Sequence, residues 1–145
     1  MTYQQTPNMR VWEQGRDYVE AAEILLDYNR VQPAALMAAL ALELFVKSFL
    51  AIRHRTGHAT TGQGHSLNDL FKRIDSKTQA EIIACSNEVE PSIDFLSELK
   101  KHDGVFLSAR YWYEPTARIS IGSDFVYFAR HACDSAFLLG RKRGV

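Results

Sequence analysis

Side chains able to do chemistry gather in three stretches of the 145-residue chain. Glu43 and Lys47 stand four apart within an otherwise apolar run, so on a helix they lie one turn above each other, acid before base, and can pair. Such a pair is either buried, lining a cleft or positioning a loop, or faces solvent on the one wet stripe of an otherwise buried helix; a structural role only, for instance anchoring the stretch around Arg110, is equally open. A polar stretch holds His54, His58 and His65. His54 and His58 have metal-ligand spacing, but Gly57 between them is suited to ending a helix and no acid-rich partner is near, so no metal site is expected. His65 directly precedes Ser66, a helix-capping residue, and the free N–H groups of a helix start favour anions; a packing or capping role is the alternative. The third stretch is Arg110-Tyr111-Trp112-Tyr113-Glu114, followed by Arg118. Aromatics interleaved with arginines can stack single-stranded bases and contact phosphates. Equally, the rings can fold onto the body of the protein while Arg110 and Glu114 form structural ion pairs. His102 and His131 look ordinary, although Arg130-His131 has the option of facing a groove.

The elements that must position these groups read as helices. Residues 34–52 carry only Glu43 and Lys47 as charges, with Ser48 the one other polar residue. A helix apolar nearly all round is normally the centre of a bundle. A membrane span is disfavoured, because two charges near its middle would cost roughly 2.5–3.5 kcal/mol each. The alanines Ala34, Ala35, Ala38, Ala39 and Ala41 fit close helix–helix contact instead. This central helix is expected to start at Pro33 and to end near Thr56, ahead of Gly57. Before it, apolar spacings of three, four and seven predict a first helix over residues 9–28, joined by a short turn and therefore antiparallel. Residues 1–8 are expected to be a disordered or surface-draped tail.

Residues 58–64 read as a flexible polar loop. Their glycines superficially suggest a phosphate loop, but the Lys-Ser/Thr that must follow is missing, as is a preceding strand. Ser66, with Asp69 three residues on, predicts a capped helix buried through Leu67, Leu70, Phe71 and Ile74. Ser76 to Gln79 reads as a second capping box, opening a helix over roughly residues 77–87. Glu90-Pro91-Ser92 suggests a third start, with His102-Asp103-Gly104 as its stop. Residues 105–121 are rich in aromatic and β-branched types and interrupted by Pro115, which suits a loop or a small hairpin. A final helix is expected over residues 125–141. The sum is a single domain, an all-α bundle of about five or six helices.

The seventeen basic residues balance seventeen acidic ones, which counts against a dedicated DNA-binding protein. A local basic patch remains at Arg141-Lys142-Arg143. Cys85 and Cys133 are too few and too far apart for a disulfide framework or a zinc motif, and fit a reduced, cytoplasmic protein. The first residues lack a signal-peptide pattern, which agrees with that location. No Gly-x-Ser-x-Gly elbow or Cys–His arrangement suggests a hydrolase.

Taken in order, three motifs resemble the HEPN family (higher eukaryotes and prokaryotes nucleotide-binding domain). They are Leu42-Glu43-Leu44 with Lys47 on the central helix, Gly64-His65-Ser66-Leu67 with Leu70-Phe71 after a loop, and Ala109-Arg110-Tyr111 with Tyr113-Glu114 before the final helix. The resemblance implies an up-and-down helical bundle, often a homodimer. Its settings are toxin–antitoxin pairs, phage defence and association with nucleotidyltransferases. Catalytic members are metal-independent ribonucleases, marked by an Arg followed four to six residues later by His near the start of a late helix. Here the matching spacing, Arg53 to His58, falls at the end of the central helix, and the last helix offers none.

The resemblance therefore implies a module that binds a nucleotide, RNA or a partner protein, with Glu43, Lys47, His65, Arg110, Tyr111, Tyr113 and Glu114 as ligand-binding candidates. No cofactor, metal or membrane partner is expected. The alternative is a divergent ribonuclease, with His65 or His58 as acid–base and Arg110 or Lys47 holding phosphate. A purely structural helical subunit is the third reading.

Overall fold

A computed structural model describes residues 6–53, 59–60, 66–103 and 123–144. Helix α1 spans Met9–Asp27, and the side chain of Asn8 caps it by accepting from the backbone N–H groups of Arg10 and Val11 at 3.1 and 3.2 Å. Its buried stripe is Trp12, Gly15, Val19 and Ala22. A tight turn follows, in which Asn29 takes φ 58, a left-handed conformation that asparagine tolerates well. Helix α2 then runs over Val31–Ser48. It starts before Pro33, which sits in the first turn, where its missing N–H has no helical partner to lose.

The two helices are antiparallel, as the short link predicts: the Asn8 N–H at the start of α1 donates to the Ser48 carbonyl at the end of α2, at 2.8 Å. That bond also bears on where α2 stops. The expected end near Thr56 is incorrect. Ser48 Oγ donates back to the Phe45 carbonyl at 2.6 Å, and the N–H groups of Phe49 and Leu50 turn to carbonyls three residues back. These contacts tighten and close the last turn. The backbone is then extended in β1 (Ile52–Arg53), which pairs antiparallel with β2 (Ala59–Thr60), Ile52 opposite Thr60 and Arg53 opposite Ala59. Part of the expected polar loop is thus a short β-pair. Within the stretch read as an N-terminal tail, Pro7 is buried and Asn8 holds both of the contacts above.

Four further helices follow among the described residues: α3 (Leu67–Lys72), α4 (Ser76–Val89), α5 (Phe95–Lys101) and α6 (Ser123–Lys142). Ser66 caps α3 as expected, accepting from the Asp69 N–H at 3.4 Å. The cap of α4 is Asp75, accepting from the Thr78 N–H, rather than Ser76; Gln79 instead reaches back to the Ile74 carbonyl at 2.6 Å. Likewise Asp94 caps α5, four residues past the expected Glu90, whose carboxylate closes a local turn with Ser92. Residues 105–121, read as a loop or hairpin, lie outside the described residues.

The all-α class holds. Helix α2 is the hub: α1 and α6 pack along it, and Ala34, Ala35, Ala38 and Ala41 are wholly buried there. Small side chains let neighbouring backbones approach closely, most visibly where the Phe45 ring lies over Gly15. By length and composition Val31–Ser48 could cross a membrane, and 56% of it is buried inside the fold. Helix α6 also packs on α4, and Phe71, Phe95 and Phe128 stack from α3 through α5 to α6 at centroid spacings of 5.7 and 5.5 Å.

Candidate functional site

The described part of the predicted site is the acid–base pair on α2. Lys47 Nζ lies 2.9 Å from Glu43 Oε1, with the side chains only 14% and 8% exposed. This decides against a pair on a wet helix face. Glu43 precedes Lys47 by one turn, and Lys47 occupies the last turn, where a cation complements the helix dipole. Removing each charge from water costs on the order of several kcal/mol before pairing, so the pair is an expensive feature toward the end of the hub helix. On the same face of α2 lie the half-buried Leu36 and Leu40.

His58, His65, Arg110, Tyr111, Tyr113 and Glu114 all lie outside the described residues, as do His54 and Arg118. What is described is how the chain is fastened beside two of these stretches. Ser66 directly follows His65, and Asp103 precedes Arg110 by seven residues. These two fastening points are bonded to each other. One carboxylate oxygen of Asp103 accepts from the Leu67 N–H at 2.8 Å, and the other accepts from Ser66 Oγ at 3.0 Å and Asn68 Nδ2 at 3.2 Å. Asp103 is thereby a second, long-range cap on α3, an acid placed at the positive end of a helix. The sequence gives no hint of this role, because the capping acid lies more than thirty residues from the helix it caps.

Two histidines that look ordinary in the sequence are buried polar groups. His102 lies against Phe125 and Phe128 at centroid distances of 4.8 and 5.8 Å, and its Nε2 is 3.1 Å from Glu98 Oε2. His131 also lies near Phe128, at 6.3 Å, with Nε2 2.7 Å from Ser86 Oγ. Burial pushes both imidazoles below their usual range, against the pull of Glu98 and Asp124 on His102 and of Asp134 and Glu90 on His131. The Ser86–His131 contact has the atoms of a nucleophile and base, but Ser86 is wholly buried and no substrate can reach it. Arg130 and His131 do not share a groove: Arg130 points to Glu23 on α1 in a two-pronged contact, while His131 faces α4.

Cys85 and Cys133 are free and buried, and burial raises both thiols, Cys133 to about 12. They are inert core groups at neutral pH. Among the described residues no cluster of three or more His, Cys, Asp or Glu side chains could hold a metal ion.

Against known families, a HEPN domain profile matches residues 9–112, well over half of the chain. The matched span runs from the first residue of α1 through Asp103 to Arg110 and Tyr111, and leaves out Tyr113, Glu114 and α6. No curated protein and no solved structure matches. The all-α architecture of the described residues and the extent of that match agree: the chain belongs to the HEPN domain family, helical modules with nucleotide- and RNA-related roles.

Proposed function

We propose that this HEPN module works as a homodimer that binds RNA, a nucleotide or a partner protein in a prokaryotic toxin–antitoxin, defence or regulatory system. The observation that carries the reading is the family match over residues 9–112. The Glu43–Lys47 pair supports it locally, since a bundle built only for stability gains little from two charges inside its hub helix. In this reading Lys47 and Arg110 offer positive charge to phosphate, His65 adds a helix-start contact, and Tyr111 and Tyr113 offer faces to bases. Glu43 and Glu114 hold the cations in place. A nucleotidyltransferase is the partner protein that such a setting favours, and the cytoplasm is the compartment.

The deciding experiment combines light scattering after gel filtration with fluorescence anisotropy on a labelled single-stranded RNA, in chelator. A dimer that binds intact RNA is expected. Arg110→Ala and Tyr113→Ala should each weaken binding about tenfold, the scale of one base stack or charged contact. Tyr127→Ala, at an exposed position on α6, should leave it unchanged. RNA cut in chelator would point to a ribonuclease instead. A monomer indifferent to RNA, nucleotides and neighbouring gene products would end this proposal.

A further inference from the structure

Buried titratable groups, aromatic packing and a helix cap meet where the end of α5 adjoins α3 and α6. Phe128 of α6 lies beside two imidazoles, His102 from the end of α5 and His131 from α6 itself, with ring planes inclined by 27° and 26°. Both histidines are about 95% buried. The next residue after His102 is Asp103, the long-range cap of α3. The end of α5 is therefore fixed on one side by an aromatic stack that holds neutral imidazole, and on the other by the carboxylate that completes α3.

We propose that this junction is an acid-released latch: protonation of His102 and His131 loosens α5 from α6 and withdraws Asp103 from the start of α3, while the α1–α2 core stays closed. The charged groups around each ring define the balance. His102 faces Glu98 and Lys101 on its own helix and Asp124 at the start of α6; His131 faces Ser86 and the more distant Glu90 at the end of α4, and Asp134 on α6. Glu98, Asp124, Asp134 and Glu90 favour the charged rings, and Lys101 opposes charge on His102. Burial outweighs the carboxylates at both sites.

The sign follows from linkage. A histidine held below its ordinary value of 6.5 binds fewer protons in the closed state than in the open one. The closed state is therefore fully favoured above pH 6.5 and loses ground as the pH falls below it, down to the depressed value. Each ring contributes up to about tenfold in the opening equilibrium per pH unit within that window.

The test is amide hydrogen exchange on the full chain between pH 7.5 and 5.0, corrected for intrinsic rates. The amides of Leu67, Asp69 and Leu70 should lose protection at least tenfold between pH 6.5 and 5.5, while those of Val19 and Leu42 keep theirs. A double variant, His102→Phe with His131→Leu, should be flat across the same window. Proton NMR of the two imidazole C2 resonances tests the wild type without substitution, and both should titrate below 6.5. A wild-type profile without slope, a double variant as steep as the wild type, parallel loss at Val19 and Leu42, or either ring titrating at or above 6.5 would overturn the latch.

Discussion

The long helices α1, α2 and α6 and the short helices α3, α4 and α5 are held by different means. In the long-helix half the contacts are apolar and close: Val19, Ala22, Ala34, Ala38 and Ala129 are completely buried, and polar ties such as Glu23–Arg130 sit at the edge. In the short-helix half each helix begins on an acid or serine cap: Ser66 with Asp103, Asp75 and Asp94. Arg143, from just beyond α6, adds a bond to Thr78 and an ion pair with Glu81 near the start of α4. Helices of six or seven residues have little propensity of their own, so the caps and the aromatic stack from Phe71 to Phe128 must hold them. The difference teaches where damage will spread: a lost core group weakens everything, and a lost cap releases one helix.

The comparison breaks most sharply at Leu42, which is 1% exposed in the middle of α2. Leu42→Ala should destabilise the whole chain by about 3 kcal/mol, through lost burial and the cavity left behind. Chemical denaturation should show one shifted, still cooperative transition; a loss confined to α3–α5 would contradict the hub role of α2.

Gly15 is the next test, because two rules oppose each other there. Helix propensity alone makes Gly→Ala favourable by about 1 kcal/mol. A Cβ at Gly15, however, would lie 2.6 Å from Phe45 Cε1, and Phe45 is itself buried in the core. Its ring cannot withdraw without disturbing α2. Overpacking of this kind costs about 1–3 kcal/mol, so Gly15→Ala should lower the melting temperature. A rise would mean that α1 and α2 are more loosely joined than the geometry implies.

In the other half, Asp103→Ala should cost about 1–2 kcal/mol, since it removes a cap and leaves the Leu67 N–H and Ser66 Oγ without that acceptor. The effect should be local: faster exchange at the start of α3, with α1 and α2 unchanged.

These contrasts also explain what could be read from the sequence. The apolar patterns of α1, α2 and α6 run over many turns, so the all-α bundle and the antiparallel first pair follow from pattern alone; the burial of Glu43 and Lys47 does not, because the same pattern allows them one wet stripe. The end of α2 does not, because Phe49, Leu50 and Ile52 continue the apolar run. One partner at that end, the N–H of Asn8, comes from forty residues away. The same holds for Asp103 at α3 and for the buried settings of His102 and His131: each depends on a neighbour supplied by another helix. Of the site, the central pair was legible in its spacing, whereas Asp103 carried only the look of a helix stop.

The smallest effect gives the most discriminating test, since it separates two adjacent residues. A Ser-x-x-Gln pattern favours Ser76 as the cap of α4, yet Asp75 has the extended backbone of a cap, and its carboxylate accepts from the Thr78 N–H at 3.1 Å. Asp75→Ala should therefore cost about 1 kcal/mol, and Ser76→Ala, at the first helical position, close to nothing. Acid adds a second readout. The bond to Thr78 is the main cause that holds the Asp75 carboxyl below its ordinary 3.8, helped by nearby Arg143. Its contribution is thus complete above that value and is lost as the pH falls through the depressed one, a loss that Asp75→Ala should remove and Ser76→Ala should keep. Should Ser76→Ala instead prove the costlier change at neutral pH, the capping box of the sequence would be the working start of α4, and the acid-capped picture of the short helices would lose its clearest member.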